Sequence, residues 1–185
     1  MLLRFIIWIK CFLSIPYFFI FRLFNYRIQK ADLNSYLNNL TIMKYKYEFF
    51  NFIKTFACLP EYRSQVLWRA NLEWLLCPKA TTHFVVSSKK IGKGLVLQHG
   101  FSTIIFPERI GENCQIWHNV TIGRNGKDRK NPIIGDNVKI YAGAVVIGGI
   151  KIGNNAIIGA NAVVLQDVPD NSIAVGVPAK IRLKK

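Results

Sequence analysis

The sequence predicts a mainly-β chain, a coil of short parallel strands preceded by an α-helical N-terminal region. Three observations carry this reading. Aliphatic residues recur every six positions through the second half of the chain. All 13 glycines lie at or after Gly92. Nineteen of the 24 aromatic residues lie at or before Trp74. A stretch without glycine and dense in aromatics does not share an architecture with one of the opposite composition. The chain therefore divides into a helical region, residues 1–77, and a repeat domain, residues 78–185, with the break falling around residues 77–90.

The period is the stronger signal. Ile134, Ile140, Val146, Ile152, Ile158 and Val164 stand six apart without a miss, and Val138, Ala144, Ile150, Ala156, Ala162 and Val168 follow each by four. Upstream the same spacing runs through Ile91 and Leu97, then, after one extra residue, through Ile104, Ile110, Ile116 and Ile122. An amphipathic helix needs a period of about 3.6 and a lone strand needs alternation. A sustained period of six is neither. It describes short strands joined by tight turns, one aliphatic side chain per strand entering a narrow core and small residues turning the corners. Three hexads close one triangular coil, so equivalent residues of successive coils stack at the strand spacing of about 4.8 Å.

The N-terminal region reads differently. Its longest uncharged run, Cys11 to Phe21, is interrupted by Pro16 and falls short of the roughly 20 apolar residues that cross a bilayer. A single helix over residues 1–21 would place Lys10 near mid-membrane, at a cost of about 2.5–3.5 kcal/mol. No small-residue cleavage site follows the apolar run. An aromatic-rich segment whose Arg4, Lys10, Arg22 and Arg27 snorkel to headgroups fits an interfacial position. The expected location is therefore cytoplasmic, at the inner face of the membrane. Residues 31–77 read as helical, with Phe49, Phe52, Ile53 and Phe56 at helical spacing. Pro60 is placed to open a further helix that ends near Cys77, before Pro78.

The formal charge of +15 suits a phosphate-bearing partner or an anionic membrane surface. Nucleic acid is excluded, because the basic residues are not interleaved with aromatics in the repeat half and no nucleic-acid motif is present. Cys11, Cys58, Cys77 and Cys114 form no CxxC pair and no zinc spacing, and are expected to be reduced thiols.

The segments GKGLVLQHG (from Gly92), GENCQIWHNVTIG (111–123), IIGDNVKIYAGAVVIGGIKIGNNAIIGANAVV (133–164) and VGVPAKI (175–181) resemble the hexapeptide-repeat acyltransferases. The pattern is similar to the serine acetyltransferase branch and its relatives that acetylate bacterial surface sugars, such as colanic acid acetyltransferases. The resemblance implies a left-handed parallel β-helix, a hand that periodicity alone does not give, and acetyl-CoA as acyl donor. It implies that His99 is the catalytic base, since acetyl transfer to a hydroxyl needs a group that takes the proton near neutral pH. The hexad register adds His118, which holds the same position one coil further on, and Asp136 beyond it if the Arg124–Pro132 excursion counts as one hexad.

Also by resemblance, the donor's pantetheine arm is expected along Ala142, Gly159 and Ala160, with Lys180 and Arg182 meeting the nucleotide phosphates. Three positions depart from serine acetyltransferases. Phe84 stands fifteen residues before the histidine where they carry Asp, Gln98 stands immediately before it where they also carry Asp, and Asp128-Arg129 is followed by Lys130-Asn131-Pro132 rather than by His-Pro. These are groups that orient the base and hold the amino acid. The expected acceptor is accordingly a hydroxyl of a cell-surface polysaccharide or lipid-linked sugar precursor, with serine O-acetylation in cysteine biosynthesis as the alternative. Flat prism faces with little core of their own, together with the resemblance, lead us to expect a homotrimer. No metal is expected: a three-histidine zinc site would need His83, which lies outside the repeat. A non-catalytic scaffold is the remaining class, and it requires His99 to be dispensable.

Overall fold

The computed structural model describes residues 12, 14–23, 26–39, 48–58, 62, 84–86, 90–99, 101–126 and 129–184. Two compact units divide the chain, residues 1–80 and 81–185.

In the first unit three helices are described: α1 (Ile15–Leu23), α2 (Tyr26–Asn39) and α3 (Glu48–Cys58). Pro16 sits in the first turn of α1, where its missing N–H costs nothing. The glycine-free, aromatic-rich composition becomes an aromatic core. Phe18 meets Phe49 and Phe52 edge-on at 5.0 and 5.5 Å, Tyr17 stacks on Phe56 at 4.9 Å, and Tyr36 meets Tyr62 at 5.2 Å. Phe52, Ile53 and Phe56 of the helical spacing are buried, with Leu33 and Tyr36 of α2. Among the described residues no helix is long and apolar enough to cross a membrane. Residues 1–11 and the helix expected from Pro60 to Cys77 lie outside the described residues, Tyr62 excepted.

The second unit is the left-handed parallel β-helix. Among the described residues, fourteen strands of two to four residues, β1 (Phe84–Val86) to β14 (Lys180–Leu183), fall into three sheets that form the faces of a prism. One face stacks β1, β3 (Thr103–Ile105), β6 (Thr121–Gly123), β9 (Val145–Ile147) and β12 (Val163–Val164). A second stacks β4 (Arg109–Ile110), β7 (Ile133–Ile134) and β10 (Lys151–Ile152). The third stacks β2 (Val96–Gln98), β5 (Gln115–Trp117), β8 (Lys139–Ile140), β11 (Ile157–Ile158), β13 (Ser172–Val175) and β14. All pairings are parallel except the last, where β14 folds back antiparallel on β13 and closes the end of the face.

The hexad aliphatics are the core: Ile110, Ile116, Ile122, Ile134, Ile140, Val146, Ile152, Ile158 and Val164 are all buried. The register corrects one of them. Ile105, not Ile104, points inward, pairing with Ile122, and Ile104 is 44% exposed on the outer face. The corner after Leu97 thus holds two extra residues rather than one, and a shift of one turns every side chain of the strand to the opposite face.

The Arg124–Pro132 excursion is the second correction. Ile110 pairs with Ile134 and Ile116 with Ile140. The excursion therefore swells one corner and occupies no face.

Candidate active site

The site is built on the corner that follows the third face. Leu97 and Ile105 stand eight positions apart where their partners Ile116 and Ile122 stand six apart, and the chain takes up the two extra residues as a tight bulge. His99 adopts a left-handed φ of 52° and Ser102 one of 53°, a region in which histidine, like Asn and Asp, occurs more readily than most residues. The Phe101 amide donates to the His99 carbonyl at 2.6 Å. Thr103 Oγ1, buried below, donates to the carbonyls of Phe101 and Trp117, each at 3.3 Å. The bulge pushes His99 out of the corner into solvent and brings Phe101 into its place above His118.

His99 and His118 are nonetheless neighbours, with ring centroids 6.4 Å apart and planes inclined at 63°, although Phe101 and not His99 holds the expected register position above His118. The ring stacked on His118 is that of Phe101, at 4.8 Å and 22°. Nδ1 of His118 is buried without a hydrogen-bond partner. Gln98, in the position before His99, is buried in β2 and pairs across to Trp117. Among the described residues neither histidine makes an ion pair.

Asp136 does not join them. The pairing of Ile110 with Ile134 puts Asp136 below Glu112, at a different corner, where its Oδ1 accepts from the Glu112 amide at 2.8 Å. Counting the excursion as one hexad misplaced it. Below His118 the corner holds Ala142 and then Ala160, joined through the amides of the residues that follow: Gly143 N–H donates to His118 O and Asn161 N–H to Ala142 O.

Four of the five residues expected along the donor lie together. Ala142 and Ala160 continue the corner column. Beside it, along the outer side of the third face, the register places Trp117, Tyr141, Gly159, Val175 and Lys180 in one row. At about 4.8 Å per strand this row runs about 19 Å from Trp117 to Lys180. Gly159 has no room for a side chain, because a Cβ there would come within 2.7 Å of Val175 Cγ1. Arg182 falls on the neighbouring row, opposite Ile173. Arg129 and Lys130 are exposed on the excursion, and Asp128 lies outside the described residues.

Sequence reasoning missed Phe101, Trp117 and Tyr141. Trp117 and Tyr141 overlap at 4.4 Å, so the histidine corner has an aromatic wall. The signal was available, because only five aromatic residues follow Trp74 and three of them gather here.

Among the described residues no three His, Cys, Asp or Glu side chains converge as a metal site; His83 lies outside them. Cys114 is buried, and burial pushes its thiol up to about 12. It is a packing group. An open groove of about 420 Å³ lies at another corner, lined by Lys90, Arg109, Gly111, Glu112 and Asp136. Its charges answer one another, with Lys90 bonded to Glu108 at 2.8 Å and Lys93 to Glu112 at 3.4 Å.

Residues 131–166 match the family model described as bacterial transferase hexapeptide (six repeats). The chain is 52% identical over 95 residues to a serine acetyltransferase of Staphylococcus aureus, a stretch covering 50% of this chain and 45% of that protein. The chain thus spans less than half the length of the curated relatives it matches. Among solved structures it is similar to the Neisseria gonorrhoeae serine acetyltransferase in complex with serine (TM-score 0.66, 28% identity, 83% of this chain and 67% of that one). It is likewise similar to a serine acetyltransferase in complex with CoA (TM-score 0.63, 25% identity, 84% and 68%). These likenesses overturn the polysaccharide acceptor expected from the three departures: the relatives are serine acetyltransferases despite Phe84, Gln98 and the altered loop. Residues 131–166 are therefore a bacterial transferase hexapeptide repeat, set in a left-handed coil of the kind that serine acetyltransferases carry.

Proposed function

We propose that this chain is an acetyl-CoA-dependent O-acetyltransferase whose acceptor is the hydroxyl of serine, with His99 as general base. The observation that carries the reading is the His99–His118 pair, 6.4 Å apart, at the head of the small-residue edge formed by Ala142, Gly159 and Ala160. The likeness to serine acetyltransferases selects the acceptor. His99, exposed on its bulge, takes the hydroxyl proton as the oxygen attacks the thioester carbonyl. The C–S bond then breaks, and the same imidazolium returns the proton to the departing thiolate, leaving CoA and the O-acetyl ester. His118 stands beside His99 as the second residue of the pair. Ala142, Gly159 and Ala160 leave the backbone open to the pantetheine arm, and Lys180, at the end of the row, and Arg182 serve the phosphates.

Three further features belong to the proposal. The chain divides at 77/78 into a helical region and the catalytic coil. It assembles as a homotrimer, for which Ile104, Phe106 and Leu165 offer exposed apolar surface on and beside the first face. Residues 1–27 rest at a cytoplasmic membrane surface, with Phe12 and Phe19 exposed at 72% and 62%; sedimentation with anionic vesicles tests this.

The deciding experiment is thiol release from acetyl-CoA with serine, threonine and homoserine as acceptors, wild type beside His99→Ala. Turnover with serine, falling about 10²- to 10⁴-fold in the variant, is expected. Turnover only with another acceptor would overturn serine, and absence of both turnover and CoA binding would overturn the enzyme class.

A further inference from the structure

We infer that the base of this site is oriented through a second imidazole: Phe101 fixes the plane of the His118 ring, and His118 in turn positions His99. The inference rests on the reading of His99 as the base. An imidazole acts as a base only when the correct nitrogen carries the lone pair toward the acceptor, and the partner of its other nitrogen decides which one does. The bulge sets where the His99 side chain leaves the backbone, through φ and the Phe101 amide, but leaves the ring free to turn in solvent. Something beside it has to hold the ring. Neither histidine meets a carboxylate among the described residues, and Gln98 and Phe84 occupy the two positions where serine acetyltransferases carry Asp.

What lies beside His99 is the ring of His118, inclined at 63°. Its Nδ1 is buried and has no partner, so Nε2 is the one nitrogen through which it can act on a neighbour. With ring centroids 6.4 Å apart, nitrogens aimed at each other are no closer than about 4 Å. That exceeds a direct hydrogen bond and suits a single bridging water. The ring that must hold this bridge is itself held, because Phe101 covers its face at 4.8 Å and 22°. Phe101 is in turn pinned by its amide bond to His99 O and by Thr103 beneath its carbonyl. The same bulge that exposes the base thus supplies the clamp for its partner. His118 and Phe101 are positioning residues in this scheme, and neither has to exchange a proton with substrate.

The test is the nitrogen shifts of His99 in the whole chain labelled with ¹⁵N-histidine, read by long-range ¹H–¹⁵N correlation and assigned with His118→Gln and His99→Gln. One predominant His99 tautomer is expected in the wild type. In His118→Ala and Phe101→Ala the two nitrogens should move toward averaged values, with kcat lower by about ten- to a hundredfold and KM for acetyl-CoA unchanged. His118→Gln, whose amide restores a donor, should keep the tautomer and most of the rate. Phe101→Leu, which keeps apolar bulk, guards against misreading a loss of fold. An averaged His99 in the wild type, or shifts unmoved by His118→Ala, would overturn the inference. Shifts moved by His118→Ala but not by Phe101→Ala would remove the clamp. The shifts require no turnover, so an inactive chain with an oriented His99 would sink the acetyl-transfer reading and leave this one standing.

Discussion

Two corners of the same prism are built from the same repeat and come out opposite in character. At the corner after the second face, side chains close the backbone. Asp136 Oδ1 accepts from the Glu112 amide, Asn154 Oδ1 from the Asp136 amide and Asp170 Oδ1 from the Asn154 amide, each at 2.8 Å. Asn137 donates to Asn155 and Asn155 to Asn171, with all three in the left-handed region. Every rung satisfies the next. At the corner after the third face the column reads Phe101, His118, Ala142 and Ala160. It holds an unpartnered imidazole nitrogen where the other corner holds a carboxamide ladder. A repeat can be self-sufficient at one edge and open at another. The open edge is where chemistry has room, since a group already bonded to its own backbone has nothing left for a ligand.

The comparison breaks most visibly if the histidine corner also carries stability. His99→Ala, which removes the proposed base and about 10²- to 10⁴-fold of the rate, should leave the melting temperature unchanged, because the side chain is exposed and makes no direct hydrogen bond or ion pair among the described residues. A large fall in melting temperature would make this corner structural after all.

At the closed corner the converse holds. Gly153→Ala places a Cβ 2.7 Å from the Pro169 carbonyl carbon and against the Asp170 amide, backbone that cannot rotate away. A loss on the order of 1–3 kcal/mol in denaturant unfolding is expected, with acetyl transfer at wild-type rate in the folded protein. Cys114, buried at the same corner with its Sγ 3.1 Å from Gly135 O, adds a pH dependence. Burial raises the thiol from 9.0 to about 12, so the unfolded chain loses this proton first. Stability from this group is fully present below about pH 9. Between 9 and 12 it declines by about 1.4 kcal/mol per pH unit, and Cys114→Ala should flatten that slope.

Asp136→Ala should cost about 1 kcal/mol by orphaning the Glu112 amide, while Asp136→Asn, which keeps the acceptor oxygen, should cost less. The smallest effect belongs to the exposed Lys90–Glu108 pair. Its lysine holds the Glu108 carboxyl below its ordinary value, through the hydrogen bond first and the charge second. Lys90→Ala should raise that titration, seen by NMR, without a measurable change in unfolding.

Much of the coil was legible in the sequence because its signals are local and repeated. One aliphatic residue per hexad must enter a core too narrow for alternatives, and five spacings of six in succession leave no second register. That His99 and His118 are neighbours followed from the same count. What the count could not resolve were the two places where it breaks. Inserted residues can go into a face or a corner, and spacing does not distinguish them. Hence Ile104 was read as core where Ile105 is, and Asp136 was read into the histidine column where Ala142 stands.

By itself, then, the sequence determined the coil, its strand length and the glycine-free helical region. These depend on composition and period, which neighbours in the chain impose. Only the tertiary structure decided that Phe101, and not His99, stacks on His118, that Trp117 and Tyr141 wall the site, and that Asp136 serves the backbone of another corner. Those outcomes depend on which residues of successive coils lie face to face. That register is set by how the whole turn packs, not by the residues on either side of a position.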